Sequence, residues 1–213
     1  MIISFLGQKG GAGKSTLARG LAVMGATEGN NIIIADMDPE QQTTYKWAQR
    51  RVEGGILPTI TVATLDTVKE AFALEESADA VVIDGTPFAS SLTSEIAAGS
   101  DWVVIPVGIT RDDLEPALLL AEGLVESSVI SRDRIIMVVV KVPDNGDKEA
   151  MATKRAITEW GFTPVDTWLP YRTSYGQAMD DGLAITETRF PRLNELAQRI
   201  FFQTGALIAQ GDA

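Results

Sequence analysis

The first sixteen residues, Met1-Ile2-Ile3-Ser4-Phe5-Leu6-Gly7-Gln8-Lys9-Gly10-Gly11-Ala12-Gly13-Lys14-Ser15-Thr16, decide how the rest is read. An apolar run ending at Leu6 is followed by a glycine-rich turn and then by a helical pattern that starts near Lys14. Glycines in such a turn let backbone N–H groups converge on an anion, and the helix N-terminus adds its partial positive charge. This strand–turn–helix context is the one a phosphate loop requires. Lys14 is then expected to reach the β- and γ-phosphates of a nucleotide, Ser15 to bind Mg²⁺ through its hydroxyl, and Thr16 to contact the α-phosphate. Gly10, Gly11, Ala12 and Gly13 complete the cradle. The strict G-x-x-x-x-G-K-[ST] pattern departs at its first position, where Gln8 stands.

Outward from this loop, short apolar runs alternate with longer segments of helical period. The runs are Ile2–Leu6, Ile32–Ala35, Thr59–Val62, Ala80–Ile83, Trp102–Pro106 and Ile135–Val140, with a weaker one at Thr163–Val165. Several are hydrophobic at every position, the pattern of strands buried on both faces. Helices are expected near 14–28, 41–53, 65–75, 91–99, 112–128, 147–160, 173–180 and 191–203. Such alternation predicts a mostly parallel, twisted sheet with helices on both faces, joined by right-handed crossovers. No repeat, low-complexity tract or linker interrupts it, so residues 1–213 are expected to form a single α/β P-loop domain.

Composition narrows the chemistry. The chain has no Cys and no His, which excludes thiolate and imidazole nucleophiles, cysteine-held Fe–S clusters and the usual zinc sites. Catalysis must use carboxylates, Lys or Arg, hydroxyls, backbone amides or a hard cation such as Mg²⁺. A balance of 45% hydrophobic and 22% charged residues is that of an ordinary globule. No apolar stretch approaches the roughly 20 residues that span a bilayer, and the short apolar start lacks the basic region of a signal peptide. The cytoplasm is the expected location, with no membrane partner. A net charge of −11 argues against a strongly basic nucleic-acid binder and leaves room only for a local patch.

Two acidic segments fall at strand ends, where α/β folds gather their ligand-binding groups. Asp36-Met37-Asp38-Pro39-Glu40 follows the second strand, and Asp84-Gly85-Thr86-Pro87 follows the fourth. Asp38-Pro39 also reads as a helix-capping pair, and Asp84 also reads as a strand-terminal turn residue.

The segment Lys9-Gly10-Gly11-Ala12-Gly13-Lys14-Ser15 resembles the deviant Walker A motif K-G-G-x-G-K-[ST] of the ParA/MinD ATPases. In that family the early lysine crosses into the partner subunit's active site. Carried to Lys9, the resemblance implies an ATP-bound sandwich homodimer with catalysis completed in trans; a solvated surface lysine is the plain alternative. Asp36-Met37-Asp38-Pro39-Glu40 is similar to the family's D-x-D-P-Q switch, with Glu40 where Gln is usual. The resemblance implies that Asp38 orients the attacking water and that Asp36 lies near the Mg²⁺ shell. Asp84, closing a hydrophobic strand, stands as the Walker B carboxylate and is implied to hold Mg²⁺ through a bound water.

Further matches run along the chain. Val104-Ile105-Pro106-Val107 with Asp112-Asp113-Leu114, and Leu169-Pro170-Tyr171-Arg172 followed by Gln177 to Gly182, look like later family segments. The second implies that Pro170 lies beside adenine. Lys141 occupies the position where many members read adenine with Asn; it can stack or bond there, or serve the fold instead. Thr43-Thr44-Tyr45-Lys46-Trp47 loosely resembles the L-T-x-W segment of short members.

Together these features resemble the short plasmid-partition ParA ATPases and relatives that position other cargo, including VirC1-type proteins. A chain starting at the phosphate-loop strand is expected to have no N-terminal helix-turn-helix. The implied function is a Mg²⁺-dependent ATPase cycling between ATP and ADP, slow alone and stimulated by a ParB-like or other partner. Non-specific DNA would be its track, giving nucleoid association. Lys154, Arg155, Arg172, Arg189, Arg192 and Arg199, against seven acids in residues 154–213, are the expected basic stripe or else a scattered solvated surface. A metabolic P-loop enzyme of the dethiobiotin-synthetase type, acting on a small molecule without DNA, is the alternative. Lys9 and the D-x-D-P segment argue against it.

Overall fold

A computed structural model describes residues 1–86 and 91–211. Its sheet contains β1 (Ile2–Phe5), β2 (Ile32–Asp36), β3 (Thr61–Thr64), β4 (Ala80–Asp84), β5 (Trp102–Val107), β6 (Ile135–Val139) and β7 (Thr163–Pro164). The spatial order is β3-β2-β4-β1-β5-β6-β7, and every adjacent pair is parallel. The helices are α1 (Lys14–Thr27), α2 (Thr43–Glu53), α3 (Val68–Ala73), α4 (Ser91–Ala98), α5 (Arg111–Glu126), α6 (Asp147–Glu159), α7 (Thr173–Asp180) and α8 (Pro191–Gly211).

Two hydrophobic clusters, one on each face of the sheet, explain the unbroken apolar runs. Ile2, Val81, Ile83, Val103, Ile105, Ile135 and Met137 pack with residues of α3, α4, α5 and α6. Their strand neighbours Ile3, Val82, Val104 and Ile136 pack against α1, α2 and α8 on the other side. Successive strand side chains point to opposite faces, so burial of both faces demands an apolar residue at every position. Full burial of one such side chain is worth about 1.5–3 kcal/mol. The order of strands reverses around the central β1–β4 pair, and the crevice beyond those carboxyl ends is where open α/β sheets take their ligands.

Several boundaries differ from the sequence reading, among them α3, which is Val68–Ala73 rather than 65–75. The third strand is Thr61–Thr64 rather than Thr59–Val62; Ile60, 5% exposed, is buried just before it and supplied the misleading apolar signal. β3 is an edge strand, and its half-exposed residues carry little pattern. The last helix runs past residue 203 to Gly211, through Gly205. Glycine there costs about 1 kcal/mol of helix propensity, which burial of Phe201, Thr204 and Ile208 around it offsets. Among the described residues, no helix is long and apolar enough to cross a membrane.

Candidate nucleotide site

The turn from β1 to α1 is built by two glycines in the left-handed region. Gly11 has φ +71° and Gly13 φ +110°, conformations that L side chains adopt only with strain. Gly13 precedes Lys14, so the first N–H groups of α1 open directly onto the loop. Lys14 is 6% exposed, and its Nζ makes only long contacts, 3.3 Å to the Gly7 carbonyl and 3.4 Å to that of Lys9. Burial holds its ammonium below the ordinary lysine range, with the Asp84 and Asp38 carboxylates pulling it back up. A desolvated cation with loose partners is poised to accept an anion. Thr16 lies half-buried one residue beyond Ser15, in the first turn of α1.

Ser15 Oγ donates to Asp84 Oδ1 at 3.1 Å, joining the loop helix to the end of β4. Asp84 is 3% exposed, and burial raises its pKa against hydrogen bonds from Thr44 and Ser15. Asp36 is also buried: its Oδ2 accepts the N–H groups of Thr44 and Tyr45 at 3.0 and 3.1 Å, and its Oδ1 accepts that of Asp38 at 3.2 Å. Both oxygens are therefore occupied by the start of α2 and the loop before it. Asp38 is more open, and its Oδ1 accepts the Gln41 N–H at 3.0 Å, closing the turn before α2; it does not cap the helix, whose N-cap is Gln42.

These side chains converge on one cavity of about 210 Å³, lined by Gly10, Gly11, Lys14, Ser15, Asp36, Asp38 and Asp84, with Gln41, Thr43 and Gly85. An adjoining cavity carries Lys9, Ala12, Asp113 and Lys141 beside the same glycines. Lys9 Nζ donates to Asp113 Oδ1 at 2.8 Å, so the lysine is neither free in solvent nor extended away from its own chain. Lys141, at φ +59°, donates its Nζ to the Gly11 carbonyl and so braces the loop. Pro170 pairs with Val142 and borders a third cavity with Trp168 and Arg172, apart from the phosphate loop. Pro87, the last residue of the second acidic segment, lies outside the described residues.

The donors suit a hard cation. Ser15 Oγ and Asp84 Oδ1 are oxygen atoms side by side, with Asp36 and Asp38 on the same cavity. Among the described residues, no cluster of three or more acidic or imidazole groups could hold an ion unaided. That set fits Mg²⁺, which keeps waters and takes phosphate oxygens alongside one or two protein ligands.

Two participants escaped the sequence reading. Thr44 connects Asp84 to α2, and Arg19, buried on α1, connects to Thr44. The one available signal was Arg19 itself, a charge among Leu17, Ala18 and Ala22 on an apolar helix face.

Comparison with known proteins agrees with this geometry. Protein virC1 of Rhizobium radiobacter is 27% identical over 149 residues, covering 63% of this chain and 64% of that relative, just under two thirds of its length. The chromosome-partitioning ATPase Soj of Thermus thermophilus is 27% identical over 172 residues, covering 67% of this chain and 69% of Soj. The cell division ATPase MinD of Pyrococcus furiosus shares the fold, with a TM-score of 0.76 at 12% identity over 97% of this chain and 98% of MinD. The description CobQ/CobB/MinD/ParA nucleotide binding domain matches residues 3–185. Because that match runs from the first strand to beyond α7, the chain belongs to the CobQ/CobB/MinD/ParA nucleotide-binding family.

Proposed function

We propose that this protein is a Mg²⁺-dependent ATPase switch of the ParA type, working as an ATP-bridged homodimer that binds DNA without sequence preference and positions a plasmid or other cargo. The observation that carries this reading is the convergence of Lys14, Ser15, Asp38 and Asp84 on one cavity at the head of α1. The naming of Soj as a chromosome-partitioning ATPase supports the cargo class.

In this reading the backbone N–H groups of Gly10 to Thr16 and the Lys14 ammonium receive the triphosphate. Lys9, released from Asp113, reaches the partner's triphosphate and adds positive charge where the transition state spreads negative charge. Ser15 and Asp84 would hold Mg²⁺, with Asp36 behind them fixing the start of α2. The ion, when bound, would neutralise the phosphate oxygens and the charge on the leaving group. Asp38 accepts a hydrogen bond from the attacking water and orients it in line with the γ-phosphate. Lys141 borders the loop side, and Pro170, on a separate cavity, would border the base. No arginine lines either cavity among the described residues, which supports slow turnover alone and stimulation by a ParB-like or other partner supplying basic groups. The activity is placed in the cytoplasm, on the nucleoid while DNA is bound, and the whole of residues 1–213 is taken as one ATPase domain.

Sedimentation velocity with Mg-ATP and with Mg-ADP, alongside phosphate release, tests this reading. A dimer with ATP and a monomer with ADP are expected, with slow release of phosphate. A monomer in both states, with phosphate release that depends on an added small-molecule substrate, would replace the switch with a metabolic phosphate-loop enzyme.

A further inference from the structure

Asp84 and two buried side chains behind it, from three elements in all, form one line of hydrogen bonds. Thr44 Oγ1, from α2, donates to Asp84 Oδ2 at 2.6 Å, and Arg19 Nε, from α1, donates to Thr44 Oγ1 at 3.0 Å. Thr44 is 0% and Arg19 7% exposed. The Arg19 guanidinium lies over the Trp47 ring at 5.6 Å, and Trp47 is itself fixed by donating Nε1 to the Leu183 carbonyl at 3.0 Å. Arginine is rarely buried this deeply unless its donors are paired, and here the Thr44 hydroxyl is the partner.

The chemistry of the three groups gives the line a direction. A guanidinium has donors and no acceptor, so Arg19 can only donate to Thr44. The Thr44 hydroxyl has a single hydrogen, and with its oxygen accepting from Arg19 that hydrogen is aimed at Asp84 Oδ2. The Thr44 main-chain N–H is held as well, by Asp36 Oδ2 at 3.0 Å, so the hydroxyl is fixed from both ends. Asp84 is thereby gripped from behind through Oδ2. Its other oxygen, Oδ1, faces Ser15 and the cavity.

Resting on the reading of Ser15 and Asp84 as the Mg²⁺ ligands, we propose that Thr44 and Arg19 are positioning residues for the cation: they lock the Asp84 carboxylate in the rotamer that presents Oδ1 beside Ser15. The Thr43–Trp47 segment thereby acquires a task. Thr44 sets the carboxylate, and Trp47 seats the arginine that sets Thr44. Because the same threonine lies in the first turn of α2, next to the Asp38 loop, the cation site and the water-orienting loop share one anchor.

The test separates positioning from mere support of the fold. Affinity for a fluorescent, non-hydrolysable ATP analogue is measured with excess Mg²⁺ and with EDTA, on protein whose folded state is verified by near-UV circular dichroism. Thr44→Val keeps the shape and removes the hydroxyl. It should cut the Mg²⁺-dependent gain in affinity about tenfold, the worth of one hydrogen bond to a charged group, while the EDTA affinity moves less than about twofold. Thr44→Ser should restore the gain. Arg19→Met, which lets the hydroxyl turn away, should lose part of it and carries the test if Thr44→Val fails to fold. An unchanged Mg²⁺ gain in folded Thr44→Val, or an equal loss with and without Mg²⁺, overturns the proposal. A wild-type protein whose affinity ignores Mg²⁺ altogether overturns instead the assignment of Ser15 and Asp84, and the proposal with it.

Discussion

Lys9 Nζ donates to Asp113 Oδ1 at 2.8 Å, tying the outermost lysine of the phosphate loop to the first turn of α5 in its own chain. Thr110 Oγ1 donates to the other oxygen of Asp113 at 2.7 Å, so the carboxylate is held ready. The two side chains are 47% and 36% exposed, and a pair that open to water is worth at most about 1 kcal/mol. Release of Lys9 toward a partner's triphosphate is therefore inexpensive. Two such pairs open per homodimer, so Asp113→Asn should strengthen the ATP-dependent dimer by up to about thirtyfold, and Lys9→Ala should abolish it. Sedimentation equilibrium with ATP measures both. A weaker dimer in Asp113→Asn would place Asp113 in the interface itself.

The same pair predicts a pH dependence. The hydrogen bond from Lys9, and then that from Thr110, holds the Asp113 carboxyl below the usual carboxylate range. A carboxyl whose folded pKa is depressed adds stability above its unfolded value of about 3.9 and loses it as pH falls through the folded value. Melting temperatures of wild type and Asp113→Asn should thus differ by a small constant amount from neutral pH to about pH 5. They should converge as the pH drops further. A difference that persists at the lowest pH would assign it to something other than the ion pair.

Legibility followed locality. The strands were readable because a sheet covered on both faces leaves runs such as Ile135 to Val139 with no polar position. The phosphate loop was readable because its chemistry lies within nine consecutive residues. Asp36, Asp38 and Asp84 could be placed at strand ends, but how Asp36 divides its two oxygens between α2 and the loop before it could not. Lys9 meets Asp113 across 104 residues, and Lys141 meets Gly11 across 130, and no spacing rule announces such contacts. β3, at the sheet edge, shifted for the same reason: half its surroundings are solvent, so little pattern is imposed on it.

Lys14 separates binding from stability. A buried ammonium with only long carbonyl contacts is a burden to the empty protein, and its desolvation is repaid when a polyphosphate arrives. Lys14→Met should therefore raise the melting temperature of the nucleotide-free protein while lowering Mg-ATP affinity at least about a hundredfold, the loss of two charge-assisted hydrogen bonds. Calorimetry and a binding titration report the two effects. Equal ATP affinity in the variant would remove Lys14 from the phosphate site.

Asp38 has two candidate tasks that one pair of variants distinguishes. Its Oδ1 accepts the Gln41 N–H at 3.0 Å and closes the turn before α2, a hydrogen bond worth about 1 kcal/mol. As the water-orienting group it should contribute about 10²–10³-fold to hydrolysis. Asp38→Asn keeps an accepting oxygen and loses the charge, so it should retain stability yet hydrolyse as poorly as Asp38→Ala. Both should still bind ATP. Full turnover in Asp38→Asn would reduce the residue to a brace of the turn before α2.

The DNA step rests on few free cations. Lys154 pairs with Asp166, Arg172 pairs with Asp144, and Arg189 lies over Phe190. Arg192 and Arg199 are exposed and seven residues apart on α8, hence on one face of it. A dimer would present two pairs of them. Four phosphate contacts predict a slope of about −3.6 for the logarithm of affinity against the logarithm of salt, since each contact contributes about −0.9. The protein to use is Asp38→Ala, because slow or absent turnover keeps it in the ATP state. It should bind random-sequence duplex DNA with ATP and not with ADP, and Arg192→Glu together with Arg199→Glu should abolish binding while leaving the ATP dimer intact. Binding in both nucleotide states would remove the switch. Binding in neither, even at low salt, would leave an ATPase with no DNA track. The 29 acidic against 18 basic residues of the chain would then be the physical reason: the net field repels the polyanion that a four-arginine patch would have to hold.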